Sequence, residues 1–467
     1  MTAVTRELAR FVAGLSYDNL PEEVRARVKA LALDLTGIMV RARHQAESTP
    51  AMVAATRWLG LGGGACTVVG DADGYAPPGA AMLNGTLAHS LDFDDTHASA
   101  SLHPSAPIVP AALAAAEMTG ADGRALIAAI VAGYEVQIRL SLALDPAAHY
   151  DQGFHPTATC GAFGAAAAAG RLLGLDAEGH ANAFGIVLSM SAGSMQYLVN
   201  GAWTKRSHVG HAAMCGLMAA TLAREDYKGA ADALEGKWGF LHAYAPRSDS
   251  GKAVADLGRR WETMKIAVKP YPSCRYGHAP LDGILGLARE HRIQADEIQE
   301  VEIGLPEPGW KLIGDPESAK QSPKSVVDGQ FSMAFCAAVA LRKGGFAWDD
   351  YAQQLGDGAT LALCKRVKTR VDAKAQADFP AEMAGSVRIK TARGTFETYV
   401  RVPKGEPANF LTAAELRAKF DGLTAPYLSA GRRDELAAAI LALEQAKDIA
   451  SVLRLTRPEN AGARRVA

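Results

Sequence analysis

Net charge is nearly absent from this sequence: 49 lysines and arginines face 50 aspartates and glutamates, leaving about −1. That balance excludes the basic footprint of a nucleic-acid binder or an anionic-membrane binder. Cysteine is sparse, with six in 467 residues and no CxxC pair among Cys66, Cys160, Cys215, Cys274, Cys336 and Cys364. Such scatter points to buried free thiols in a reducing compartment, taken here as the cytoplasm, and away from disulfides or zinc. The first residues show no signal-peptide apolar core and run into an amphipathic helix. A dinucleotide fingerprint, a phosphate loop, a GxSxG elbow and an HExxH motif are all missing, and Gly62-Gly63-Gly64 reads as a loop. Charge is also absent over 181–204, long enough for a bilayer. Its serines, asparagines and Gln196, and the Lys205-Arg206 that ends it, fit a buried helix leading into a site loop instead.

What is present is mostly helical pattern. Val24, Val28, Leu31, Leu35 and Ile38 recur at three-to-four spacing. Residues 79–88 predict a helix that delivers His89, and helix restarts at Ala111 after Pro104, Pro107 and Pro110. From 122 to about 222 alanine and glycine dominate, which predicts a tight inner layer of close-approaching helices. Past Trp261 the pattern turns mixed. Residues 298–305, 385–390 and 395–402 alternate like strands, the last two joined by Ala392-Arg393-Gly394, and a helix is expected over 325–341. A capping box, Thr412 to Glu415, returns the chain to helix. The expected fold is mainly α: a large all-helical domain formed by both chain ends (1–261 plus 405–467) with a smaller inserted α+β domain (262–404).

Four polar clusters interrupt this apolar chain. His89 to His103 packs Asp92, Asp94, Asp95 and three imidazoles into fifteen residues, followed by Ser105. Asp151 to Thr157 contains His155, Trp203 to His208 contains Lys205 and Arg206, and Lys265 to His278 contains Lys269 and Arg275. Asp92, Asp94, Asp95, His97 and His103 are all possible metal ligands, so a metal-dependent hydrolase is one reading. Lysine and arginine in the other clusters oppose a cation. They suit a polyanionic substrate, with Lys205, Arg206, Lys269 and Arg275 clamping carboxylates and His103 and His155 moving protons. Asp94 and Asp95 fit capping or ion pairing, His208 and His211 fit packing positions, and Lys265 fits a solvated flank.

The blocks LAHSLDFDDTH with HPSA, GFHPTATCGAFGAAAAAGRLLGL, WTKRSHVGHAAMCG and KPYPSCRYGHA, in this order, resemble the MmgE/PrpD family over nearly the whole chain. Its members include 2-methylcitrate dehydratase, cis-aconitate decarboxylase and iminodisuccinate epimerase. The resemblance implies a helical domain with an α+β lid, a homodimer, no metal or organic cofactor, and a small polycarboxylate substrate. It carries catalytic roles onto His103, His155, Asp92, Lys205 and Lys269, with Asp92 orienting a base. It carries substrate contacts onto Thr96 and, from the lid, His278. The expected activity is a dehydratase-like lyase abstracting a proton next to a carboxylate, with an epimerase as the alternative. Phe335 stands where decarboxylase-like relatives carry a tyrosine, and lacking a hydroxyl it argues against decarboxylation.

Overall fold

The computed structural model describes residues 3–199 and 201–459. The chain parts into two compact units, 1–267 with 413–467, and 268–412. Both boundaries fall later than the composition change suggests. Ile266–Ala267 pairs antiparallel with Thr96–His97, which keeps the stretch after Trp261 in the first unit. The Val268 amide donates to the Gly405 carbonyl at 3.0 Å, which keeps the segment after Lys404 in the second.

The first unit is mainly α, with two short two-stranded pairings: Gly62–Thr67 with Gly74–Tyr75, and the Thr96–His97 pair. Its inner layer comprises the helices Pro77–Ala88, Ser105–Thr119, Gly123–Leu144, Pro156–Leu172 and Thr204–Arg224. The helix containing Pro107 and Pro110 begins at Ser105, earlier than Ala111. Pro107 falls in the first turn, where an N–H has no acceptor to lose. Gly123–Leu144 is apolar and long enough to cross a membrane, but 89% of its most apolar window is buried inside the protein. Its buried ion pair, Arg139 Nε to Glu135 Oε2 at 2.9 Å, is completed by the Thr263 amide and hydroxyl on Glu135 and by the Ala255 and Arg260 carbonyls under Arg139. The uncharged span does not form one helix: Ala177–Leu188 ends early, and 189–199 is loop around a short turn, Met195–Val199.

Two of these helices bring distant sequence together. Pro77–Ala88 ends at His89, and Thr204–Arg224 begins one residue before Lys205. They touch through glycine: a Cβ on Gly85 would lie 2.8 Å from Gly210 Cα, and one on Gly210 would lie 2.2 Å from the Met82 carbonyl oxygen. Gly210→Ala is therefore expected to cost ~1–3 kcal/mol by overpacking. By calorimetry the unfolding midpoint should fall by roughly 1–5 °C. An unchanged midpoint would mean that the helices separate freely at this crossing.

The second unit carries a four-stranded sheet in the order 367–371, 298–305, 385–391, 394–400. The outer pairing Val301↔Val367 is parallel, and the others, such as Ile303↔Val387 and Val387↔Thr398, are antiparallel. The expected 325–341 helix is two helices, Val326–Gln330 and Met333–Lys343. Ser332 interrupts them because its hydroxyl accepts the Phe335 amide at 3.0 Å, capping the second.

Candidate functional site

The loop after His89 holds its acidic groups apart by giving each a different partner. Asp92 adopts a left-handed backbone (φ +51°), which aspartate tolerates better than most residues. Its Oδ1 accepts the Lys205 ammonium at 2.8 Å. Asp94 Oδ2 accepts His89 Nδ1 at 2.7 Å, and His103 Nδ1 lies 3.1 Å from the same oxygen without hydrogen-bond alignment. Asp95 accepts the Ser105 amide at 3.1 Å and the Ser105 hydroxyl, which also meets Tyr134 Oη at 2.5 Å, so it caps the following helix. The loop is pinned from the C-terminal arm, where Lys419 pairs with buried Asp34 at 2.7 Å and donates to the Phe93 carbonyl at 3.0 Å. His97 is an anchor, with Nε2 3.3 Å from Glu262 and Nδ1 accepting the Ala100 amide. Lys265, expected as a solvated flank, is half-exposed and pairs with Glu262 at 3.0 Å.

The imidazoles form a cluster. His89 and His103 rings lie 4.6 Å apart, His89 and His155 5.8 Å, and His155 and His208 5.7 Å, with Tyr197 5.9 Å from His155. His208 thus belongs to the cluster and is more than packing. It stands one turn after Lys205 on the same helix face, and that spacing was the available signal. Tyr197 had no such signal, lying within the uncharged span. Six buried polar atoms here have no hydrogen-bond partner among the described residues: His89 Nε2, Asp94 Oδ1, Thr96 Oγ1, His103 Nδ1, His155 Nδ1 and His208 Nδ1. Protein interiors rarely leave so many unpaired together, and such concentrations mark places that receive a ligand.

Charge follows from these contacts. Burial pushes His89 down to about 4 against the pull of Asp94, and pushes His155 well below the usual histidine value with His89 and Lys205 adding to the fall. Burial would raise Asp94, but His103 and His89 hold it well below the usual carboxylate value. Burial lifts Asp95 to about 7 although Ser105 opposes it. Burial would lower Lys205, yet Asp92 and Tyr197 hold it above the ordinary lysine value.

The neutral imidazoles make a stability prediction. His89, His155 and His180 (the last pushed to about 3 by burial) are depressed in the folded state. Their contribution is complete above the unfolded value near 6.5 and is lost as pH falls towards 4, because the unfolded chain takes up the protons first. Each pH unit in that window costs about 1.4 kcal/mol per group at most. The unfolding midpoint should hold near pH 7 and fall steadily from pH 6.5 to 4. His180→Leu, outside the cluster, should flatten the fall.

The remaining predicted residues are placed as follows. Arg206 Nη1 donates to Ser48 Oγ at 3.1 Å in the first unit. Lys269, Arg275 and His278 lie in the second. Lys269 is buried, and His278 opens the helix His278–Glu290 with Nε2 3.2 Å from the Ser273 carbonyl. Arg275 is committed to Glu406, with Nε on Oε1 at 2.6 Å and Nη2 on Oε2. That bidentate pair takes the guanidinium face on which a carboxylate clamp was expected. Asp92, expected to orient a base, sits instead on Lys205, and the carboxylate facing the imidazoles is Asp94. Phe335 is fully buried and stacked on Tyr351 at 5.8 Å in the core of its unit, so its missing hydroxyl carries no argument about the reaction.

Two family models match the chain: the MmgE/PrpD N-terminal domain over residues 6–251 and the MmgE/PrpD C-terminal domain over 271–445. Among similar proteins, a cis-aconitate decarboxylase-like protein of Aspergillus oryzae is 28% identical, covering 98% of this chain and 98% of its own. A cis-aconitate decarboxylase of Aspergillus terreus is 29% identical over 97% of this chain and 96% of its own. The cis-aconitate decarboxylase of Mus musculus is 27% identical, covering 98% and 93%.

Proposed function

Since this chain belongs to the MmgE/PrpD family, we propose that it is a lyase acting on a small tricarboxylic acid, with decarboxylation of cis-aconitate the first expected reaction. Dehydration of a 2-methylcitrate-like hydroxy acid is the second. The relatives named cis-aconitate decarboxylase, aligned nearly end to end, support the order. The observation that carries the reading is the set of buried, unpartnered imidazole, carboxyl and hydroxyl atoms beside the Lys205–Asp92 pair.

The chemistry follows from the residues. Loss of CO2 leaves an electron pair delocalised onto a neighbouring carboxylate, and a proton must then be delivered to carbon. The Lys205 ammonium in the first turn of its helix, whose N-terminal end adds positive potential, stabilises that growing charge. His103, partly open at 15% side-chain exposure, exchanges the proton, and Thr96 Oγ1 donates to a substrate carboxylate. Dehydration uses the same groups, the imidazole first removing a proton and then the hydroxyl leaving as water. The reading extends to a homodimer in the cytoplasm; six buried free thiols agree with a reducing compartment.

The test is proton NMR in D2O on protein dialysed against EDTA, with cis-aconitate, citrate, 2-methylcitrate and iminodisuccinate. Expected is loss of cis-aconitate with one deuterium in the product. Turnover of iminodisuccinate alone would make it an epimerase. Activity that vanishes with EDTA and returns with zinc would favour a metal-dependent hydrolase. Inertness towards the whole panel would overturn the reading.

A further inference from the structure

Asp94 was expected to cap or pair with an arginine. It does neither: it is fully buried, its Oδ2 accepts His89 Nδ1 at 2.7 Å, and His103 Nδ1 lies 3.1 Å from the same oxygen, off hydrogen-bond alignment. A carboxylate only accepts hydrogen bonds. His89 must therefore present N–H at Nδ1, and a bare Nδ1 lone pair on His103 would repel the same oxygen 3.1 Å away, so His103 too is favoured with N–H at Nδ1. For a neutral histidine that leaves Nε2 without a proton. The rings stand edge to face, 4.6 Å apart and 75° between planes, with both Nδ1 atoms near the same carboxylate oxygen. The two backbones are fixed independently. His89 follows the last residue of the helix Pro77–Ala88. His103 donates its amide to Thr157 Oγ1 and gives its carbonyl to Gln137 Nε2.

We propose that Asp94 is a positioning residue for the lyase reaction: it holds His103 with the proton on Nδ1, so that Nε2 is the nitrogen that exchanges a proton with substrate. Asp94 also compensates the imidazolium when His103 carries both protons. His89, which is hydrogen-bonded to Asp94, fixes the carboxylate's orientation and keeps Oδ2 turned to the rings. Asp92, two residues earlier, is held on Lys205 and does not compete. The catalytic half of this proposal rests on the lyase reading; the tautomer half does not, and the experiment separates them.

The experiment is 15N NMR of histidine-labelled full-length protein without substrate, followed by kinetics of Asp94→Asn on whichever acid the panel identifies. In the unsubstituted protein His103 should be the Nδ1–H tautomer, whatever the enzyme's substrate proves to be. In Asp94→Asn, whose amide is nearly isosteric, that preference should be lost. The kcat should fall by about 10²-fold or more with KM changed less than about threefold, the pattern of a lost orienting carboxylate. An Nε2–H tautomer in the unsubstituted protein overturns the proposal without any variant having to fold. So does Asp94→Asn with the tautomer and kcat intact. A proven tautomer in a protein inert to every acid would instead overturn the lyase reading and leave the Asp94–His103 geometry standing.

Discussion

Lys205→Met is expected to lower kcat/KM by about 10³-fold, the scale of losing a buried charge that meets charge developing in a transition state. Methionine keeps the length and the apolar stem but removes the ammonium. Two costs then combine. The substrate loses its cation at the head of Thr204–Arg224, and Asp92, which sat 2.8 Å from that cation, is left mostly buried and unneutralised by it. A buried carboxylate that loses its neutralising ammonium is destabilising and also repels an incoming carboxylate. The double variant Asp92→Asn/Lys205→Met separates the two. If Lys205 served only to neutralise Asp92, the double variant would recover both stability and rate. The expected result is recovery of the unfolding midpoint with kcat/KM still at least a hundredfold below the unsubstituted enzyme.

How much of this was legible in the sequence depends on how far apart the partners lie. The His89–Asp94–His103 group spans fifteen residues of one loop, so its density was visible at once, although its hydrogen-bond assignments were not. The Lys205 contact joins residues 113 apart and depends on two glycines letting helices touch. Family resemblance named Lys205, but only the fold shows that Asp92 is its partner and that Asp94 is the carboxylate beside His89 and His103. Arg275 misled for the same reason, because Glu406 lies 131 residues on. Strand 385–391 alternates cleanly because one face is buried, and in 298–305 Val301, Ile303 and Leu305 share a buried face after a register shift near Ile298. Val367–Val371 escaped notice: it is an edge strand in which only Val367 is buried, so no apolar alternation exists to read.

His103→Gln is expected to lower kcat by ~10²-fold or more, the usual scale for a general acid or base. The choice of His103 over His155 rests on their surroundings. His155 is 1% exposed, stands at the N-terminal boundary of the helix Pro156–Leu172 and is pushed well below the ordinary histidine value, so it stays neutral and offers no imidazolium proton near pH 7. His103 has solvent access on one side and the Asp94 carboxylate on the other, so water and substrate can reach its ring. The deciding measurement is deuterium uptake from D2O alongside rate. His103→Gln should lose turnover and deuterium incorporation together, whereas His155→Gln should raise KM more than it lowers kcat and leave incorporation per turnover unchanged. A loss below about tenfold in His103→Gln, with incorporation intact, would remove His103 from the proton-transfer step and move the role to another member of the cluster.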